Sequence, residues 1–328
     1  MEKFFYRLES FLRREISRGA FLKILFGWLL LALTESRFLK LAFAKTGESN
    51  GRPKRTIQTG CDLAVSEGPD PYRNTVKAVE ALGGMGRFVS KGAVVVVKPN
   101  IGWDRTPEQA ANTDPQVVAA LVEMCYQAGA KRVNVFDITC NDARRCYANS
   151  GIEKAAKEKG ASVYFADTWN IVKAKFPYKS PMENWGILRD AVVCDVLINV
   201  PVLKHHGLTG LTLSMKNLMG VCAGIRGLMH PGIAKKLVDL TDFLSPELTV
   251  IDATRVLTRN GPTGGNTADV TVMNKVFASA DPTLADAFAC SLMKKDPLSV
   301  SYIKEAADRQ FGNWDVAKAN IQNISGKW

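Results

Sequence analysis

The chain has only three histidines, and its seven cysteines include no C-x-x-C pair. The cysteines are Cys61, Cys125, Cys140, Cys146, Cys194, Cys222 and Cys290, an odd number at wide spacings. Neither a disulfide scaffold nor a ferredoxin-type iron–sulfur site is built that way. They read as small core residues, and a Cys140–Cys146 disulfide stays open if the protein is exported. No apolar run approaches the roughly 20 residues that a membrane-spanning helix needs. No fixed-period repeat is present. No glycine-rich loop ends in Lys-Ser or Lys-Thr, so nucleotide hydrolysis is not indicated.

The composition is otherwise that of a globular protein. Of 328 residues, 46% are hydrophobic and 23% charged, enough for one large α/β domain or two smaller lobes. The net charge of +11 favours anionic partners. The basic residues are scattered, without a stripe of interleaved aromatics, which disfavours nucleic acid.

Residues 1–44 differ from the rest. They hold eight Lys or Arg against four Asp or Glu, a net of +4. Arg13, Arg14 and Arg18 precede the apolar run Ile24–Leu33, and Ala42-Phe43-Ala44 follows. That order is a secretory signal pattern. Ser17–Lys23 resembles the twin-arginine export box, with Gly19 in place of the second arginine. Phe38, Leu39, Leu41 and Phe43 allow instead an uncleaved helix lying on a membrane. The expectation is export or membrane anchoring, with residues 45–54 as a linker and 55–328 as the folded domain.

Strand and helix signals alternate in the remainder. Strands are expected at Thr56–Leu63, Ala93–Val97, Lys131–Ile138, Ser162–Phe165, Val192–Val200, Leu248–Ile251 and Asn274–Ser279. Helices are expected at Tyr72–Leu82, after Asp114-Pro115, and over Ile152–Lys159, Leu208–Met219, Ile233–Phe243 and Asp281–Leu292. The valine run Val94–Val97 marks a strand buried on both faces. Asp before Pro marks a helix start. Alternation with short turns implies a mostly parallel, doubly wound sheet with flanking helices.

Such sheets bind ligands beyond the carboxyl ends of their strands. Polar residues stand there: Lys98 and Asn100, Asp137, Asp252, and the run Lys204-His205-His206. All three histidines, His205, His206 and His230, fall in one segment with Lys216-Asn217. Lys216 lies in an apolar run, so it either faces outward or must pair with an anion. A desolvated lysine loses proton affinity and becomes a base or nucleophile. Lys204, His205, His206 and Lys216 are therefore the candidate catalytic groups. Lys98, Asn100, Asn217, Asp252, Thr263, Gly264 and Gly265 are candidate substrate contacts, the glycines through their backbone N–H groups. A metal is a second option, with His205, His206 and His230 as ligands. Adjacent histidines do not have the i, i+4 spacing of a helical zinc pair.

Several blocks, in order, resemble the domain of unknown function 362 family. They are Val97-Lys98-Pro99-Asn100, Thr113-Asp114-Pro115, Ala128-Gly129-Ala130-Lys131, Val200 to Gly210, Met215 to Gly220, Asp252, Gly261 to Gly265, and Ala278 to Pro282. The resemblance covers residues 55–295 and implies no settled activity. Some members carry ferredoxin-like cysteine clusters, which this chain lacks, and some are exported. A more distant similarity is to the nickel-pincer lactate racemases, which hold a cofactor through a lysine and histidines. Two functions fit. One is an enzyme acting on a small anionic substrate, with a metal or bound cofactor as an option. The other is a binding or accessory module for the same kind of ligand.

Overall fold

The computed structural model describes residues Gly47–Trp328. The signal-like segment at 1–44 and the first residues of the expected linker lie outside the described residues. In chain order the strands are β1 (Gly47–Ser49), β2 (Leu63–Glu67), β3 (Val94–Pro99), β4 (Arg132–Val135), β5 (Ser162–Val163), β6 (Ile171–Ala174), β7 (Gly186–Leu188), β8 (Val196–Val200), β9 (Val202–His206), β10 (Gly210–Thr212), β11 (Leu248–Leu257), β12 (Val270–Ser279) and β13 (Ile321–Ser325). The helices are α1 (Pro71–Ala81), α2 (Pro115–Gln127), α3 (Ala143–Asn149), α4 (Ile152–Glu158), α5 (Arg189–Val193), α6 (Ser214–Asn217), α7 (Ile233–Leu244), α8 (Pro282–Leu292) and α9 (Ser301–Asp308).

The main sheet runs β13-β2-β12-β11-β8-β3-β4-β5, with β9 and β10 added beside β11. Its centre is parallel: β11, β8, β3, β4 and β5 all run one way. β12 runs antiparallel to both neighbours, so the sheet is mixed and parallel-rich. β3 is central because its valines are buried on both sides. Val95 and Val97 join one hydrophobic cluster with α1, α2 and α4. Val96 points to the other, with α7, α8 and α9. Each such fully buried side chain contributes about 1.5–3 kcal/mol. Helices thus cover both faces. Three of them start alike, with Asp70, Asp114 and Asp281 each accepting a bond from the first turn ahead of a proline.

Five expectations need correction. The strand expected at Val192–Val200 begins at Val196, because Val192 and Val193 end helix α5. The strand expected at Thr56–Leu63 begins only at Leu63, where an unbroken buried run begins, because Thr56 and Gln58 are exposed. Residues 47–54 are not a linker. Gly47–Ser49 pairs with β6, and the buried Arg52 holds Glu247 at 2.7 Å. Leu208–Met219 is not one helix. Gly207 and Gly210 turn the chain into the β9–β10 hairpin, and the helix keeps only Ser214–Asn217. The strand read as ending at Ile251 continues through Asp252 to Leu257, with an irregularity between Ala253 and Arg255.

Among the described residues no helix is long and apolar enough to cross a membrane. All seven cysteines are free thiols, so Cys140 and Cys146 are unbridged.

Candidate functional site

The parallel strands deliver their polar ends to one rim. β3 ends at Lys98-Pro99, and Lys98 is wholly buried. Its Nζ lies 2.8 Å from Asp137 Oδ1, just past β4, and donates to Asn217 Oδ1 at 3.2 Å. Asp137 Oδ2 accepts from Ile101 N at 2.8 Å. Asn217 links the rest. It accepts from Asn100 Nδ2 at 3.1 Å, and its own Nδ2 donates to Asn199 Oδ1 on β8 at 2.9 Å. Asn217 and Lys216 sit on the four-residue helix α6, which is too short to hold itself. Asp286 on α8 holds it instead, accepting from Ser214 N at 2.7 Å and Met215 N at 3.1 Å. Burial pushes the Asp286 carboxyl up to about 7.

These groups surround an open cleft of about 430 Å³. Lys204, His206, Lys216 and Asn217 line it with Asp137, Asn100 and Trp103. Lys204 is 1% exposed. Its Nζ donates to Ala111 O at 2.5 Å and to Asn100 Oδ1 at 3.4 Å, and lies 5.9 Å from the centre of the Trp103 ring. Burial drives its ammonium down from 10.5 to about 7. Lys216 and Lys98 push it the same way, and Cys140 and Asp137 oppose them. Two donated bonds match the two N–H groups of a neutral amine and leave its lone pair for a proton.

His206 has a fixed tautomer. Its Nδ1 accepts from Leu208 N at 3.1 Å and Thr209 N at 3.3 Å. An atom that accepts from two N–H groups carries no proton, so the neutral ring holds its proton on Nε2. Burial, followed by the charges of Lys216 and Lys204, lowers this histidine to about 3. His206 is therefore a hydrogen-bond donor near neutral pH and a poor base.

The structure brings Lys98, Asn100, Lys204, His206, Lys216 and Asn217 to this one place, with only Lys98 behind the cleft wall. It does not bring His205, Asp252, Thr263, Gly264 or Gly265. His205 alternates to the opposite side of β9, where its Nδ1 accepts from Gly261 N at 3.2 Å. Asp252 is buried away from the lining; its oxygens accept from Thr254 and from Asp114 N. Thr263, Gly264 and Gly265 are also outside the lining, which takes Gly261 and Pro262 from that loop. Two of their carbonyls are bonded elsewhere, Thr263 O to Arg105 Nε and Gly265 O to Gln109 Nε2. His230 does reach the lining, with its ring 6.4 Å from that of His206. Among the described residues no group of three His, Cys, Asp or Glu side chains is placed to hold a metal ion. The His206 tautomer also opposes ligation through Nε2, since that would move the proton onto Nδ1, against two N–H groups.

The lining includes residues that sequence reasoning did not assign to a site. Asp137 had a signal, its place at a strand end. Trp103 and Cys140 had none, because loops place them, and Thr212 and Met219 stand on a short strand and a 3-10 turn that the sequence reading had merged into one helix. Gly220 has a spatial reason: an added Cβ would lie 1.8 Å from Asp137 Oδ1 and 2.7 Å from Lys98 Nζ. The buried ion pair therefore occupies the space that a side chain at 220 would need.

The model of the family described as "Domain of unknown function (DUF362)" matches residues 95–291, which contain every lining residue of the cleft. The chain belongs to the DUF362 family. Among its relatives is the thylakoid-associated protein sll1697 of Synechocystis sp., 28% identical over 236 residues, 68% of this chain and 70% of that one. Among solved structures, the DUF362 chain is similar to the lactate racemase apoprotein from Thermoanaerobacterium thermosaccharolyticum. That match has a TM-score of 0.45 and 13% identity, and covers 75% of this chain and 60% of that one. The chain therefore spans less than two thirds of that protein's length.

Proposed function

We propose that this DUF362 protein is an enzyme that binds a small carboxylate or phosphate in the cleft and moves a proton on it. Lys204 is the base. Lys216 supplies the positive charge that holds the anion, and His206 Nε2–H donates to an oxygen that gains charge. The Lys98–Asp137 pair and Asn217 hold the wall. The supporting observation is the buried Lys204 amine, lowered to about 7 beside a second lysine in an open cleft. A base poised near the working pH is what proton transfer requires. Reading the chain as an enzyme with His205 as a proton carrier loses support, because His205 faces away.

Lys204 is tested by pulse-labelling the protein with acetic anhydride across pH 5–10 and reading the Lys204 peptide by mass spectrometry. The expected midpoint is near 7, with protection by at least one member of a panel of small carboxylates and phosphates. A midpoint near 10, or no protecting anion, refutes the assignment. A protecting carboxylate is then incubated in deuterium oxide, and exchange at its acidic carbon is followed by NMR. The second reading, an accessory protein that holds an anion unchanged, is favoured by the 2.5 Å bond that ties Lys204 to Ala111 O. Exchange that is lost in Lys204→Met separates the two.

We further propose that the protein works at a membrane. The basic-then-apolar order of residues 1–44 supports this, as does the thylakoid association named for its relative. Membrane fractionation with and without residues 1–44 tests it, and an unchanged distribution sinks it.

A further inference from the structure

The polarity around the cleft is inverted. Cations and a histidine sit deep, with Lys204 1%, His206 7% and Lys216 8% exposed. Large aliphatics sit outside, with Leu208 76%, Ile225 73% and Leu228 59% exposed. Leu208 lines the cleft directly. Ile225 and Leu228 flank Gly227, another lining residue, in a turn closed by the Leu228 N to Ile225 O bond of 3.0 Å. The other exposed large hydrophobics among the described residues, such as Trp169 and Val272, lie outside the lining.

The rim is held in this form. Leu208 and Thr209 donate their N–H groups to His206 Nδ1, so the turn that sends Leu208 outward is tied to the floor. Lys236 Nζ donates to Leu228 O at 2.7 Å and ties the turn that carries Leu228. Trp103, Met219 and Pro262 add apolar lining to the same cleft. Asp137, already paired with Lys98, is the one carboxylate in the lining.

A cleft of about 430 Å³ is large for an anion of a few atoms and falls in the range of drug-sized ligands, ~300–1,000 Å³. Polar groups buried deep in a cleft and aliphatics exposed at its edge each mark a surface made for a ligand. One kind of ligand answers both. We infer that the substrate is an anionic amphiphile, whose charged group meets Lys204 and Lys216 and whose single apolar chain leaves the cleft over Leu208, Ile225 and Leu228. The inference rests on the anion reading above and narrows its substrate class. The chain of a free carboxylate and that of an anionic lipid share this chemistry.

The test is calorimetric titration of the full-length protein with straight-chain carboxylates from acetate to decanoate, below their micellar concentrations. Straight-chain alcohols are the controls, and phosphatidylglycerol vesicles form a second arm. The expected affinity rises about fourfold per added methylene once the chain reaches the rim. The exposed triple variant Leu208→Ser, Ile225→Ser, Leu228→Ser flattens that rise and leaves short carboxylates unchanged. Lys216→Met weakens every carboxylate by a common factor and leaves the alcohols alone. Vesicle binding that octanoate competes away supports the lipid as the source of the chain. Equal affinity for acetate and decanoate overturns the amphiphile while the anion reading stands. Equal affinity for carboxylates and alcohols, unaffected by Lys216→Met, overturns the anion reading with it. Vesicle binding through the rim without binding of any monomeric carboxylate also overturns the inference, and assigns the rim to a bilayer surface.

Discussion

Replacing Lys204 by methionine removes one titrating group and keeps most of the side-chain volume. The folded protein lowers this ammonium from 10.5 to about 7, chiefly by burial. Below pH 7 the amine is charged in both folded and unfolded chains, and the cost of burying the charge is borne in full. Between 7 and 10.5 the folded amine is neutral while the unfolded one still binds a proton, so stability rises with pH. Above 10.5 both are neutral and the cost is gone. The slope in the middle window is about 1.4 kcal/mol per pH unit. From pH 7 to pH 9 the wild type should therefore gain about 2–3 kcal/mol relative to Lys204→Met. The lost bonds to Ala111 O and Asn100 Oδ1 shift the variant by an amount that does not change with pH. Other titrations are common to both proteins and cancel. Urea unfolding of both at pH 6, 7, 8 and 9 gives the difference curve. A flat curve would falsify the lowered Lys204 and remove the base from the proposed mechanism.

Gly220→Ala should lower stability by about 3–5 kcal/mol, the usual cost of parting a buried ion pair. Its new Cβ must displace Asp137 or Lys98, and a wild-type melting temperature would show that the wall yields. His206 should show the Nε2–H tautomer in nitrogen–proton NMR correlations and stay neutral down to pH 5, given its fall to about 3. Its contribution to stability is absent above pH 6.5 and becomes a loss as pH drops from there towards 3. A titration midpoint above 6 would refute that assignment. With the anion held by Lys216 and Lys204 kept as the neutral base, anion binding at pH 7 should take up little proton, which calorimetry in buffers of differing ionisation enthalpy measures. Uptake close to half a proton would mean that the anion protonates Lys204, and would remove it as the base.

Much of the scaffold was legible because its signals are local. The run Val94–Val97 can be buried on both faces only inside a parallel sheet. The Asp-Pro pairs at 70, 114 and 281 write each helix start within two residues. The segment Leu208–Met219 misled because its apolar residues suggest a helix, although Leu211 and Leu213 stand two apart, at strand spacing. The helix that remains has four residues and no periodicity of its own. What holds it is Asp286, 72 residues away from Ser214, and no local pattern announces a partner at that distance. The same is true of Asp137 and Lys98.

The choice between the adjacent histidines shows how far a physical rule reaches: alternation separates them on a strand, but the sequence does not say which one faces the cleft. On a strand, residues two apart share a face. Lys204 and His206 therefore go together once Val202–His206 is a strand, and His205 must face away. Pro201 hid this, since it breaks the apolar run of β8 and makes the next five residues look like a loop. Yet Pro201 ends one strand while its carbonyl accepts from Asp252 N, which sets β9 beside β11. Placing Lys204 and His206 on one face has a chemical consequence. Each charge would oppose the other, and both face Lys216, so protonation is disfavoured at both sites. The amine and the imidazole thereby stay available in the neutral forms that a base and a hydrogen-bond donor need. In the proposed mechanism Lys216 then supplies the cation for the incoming anion.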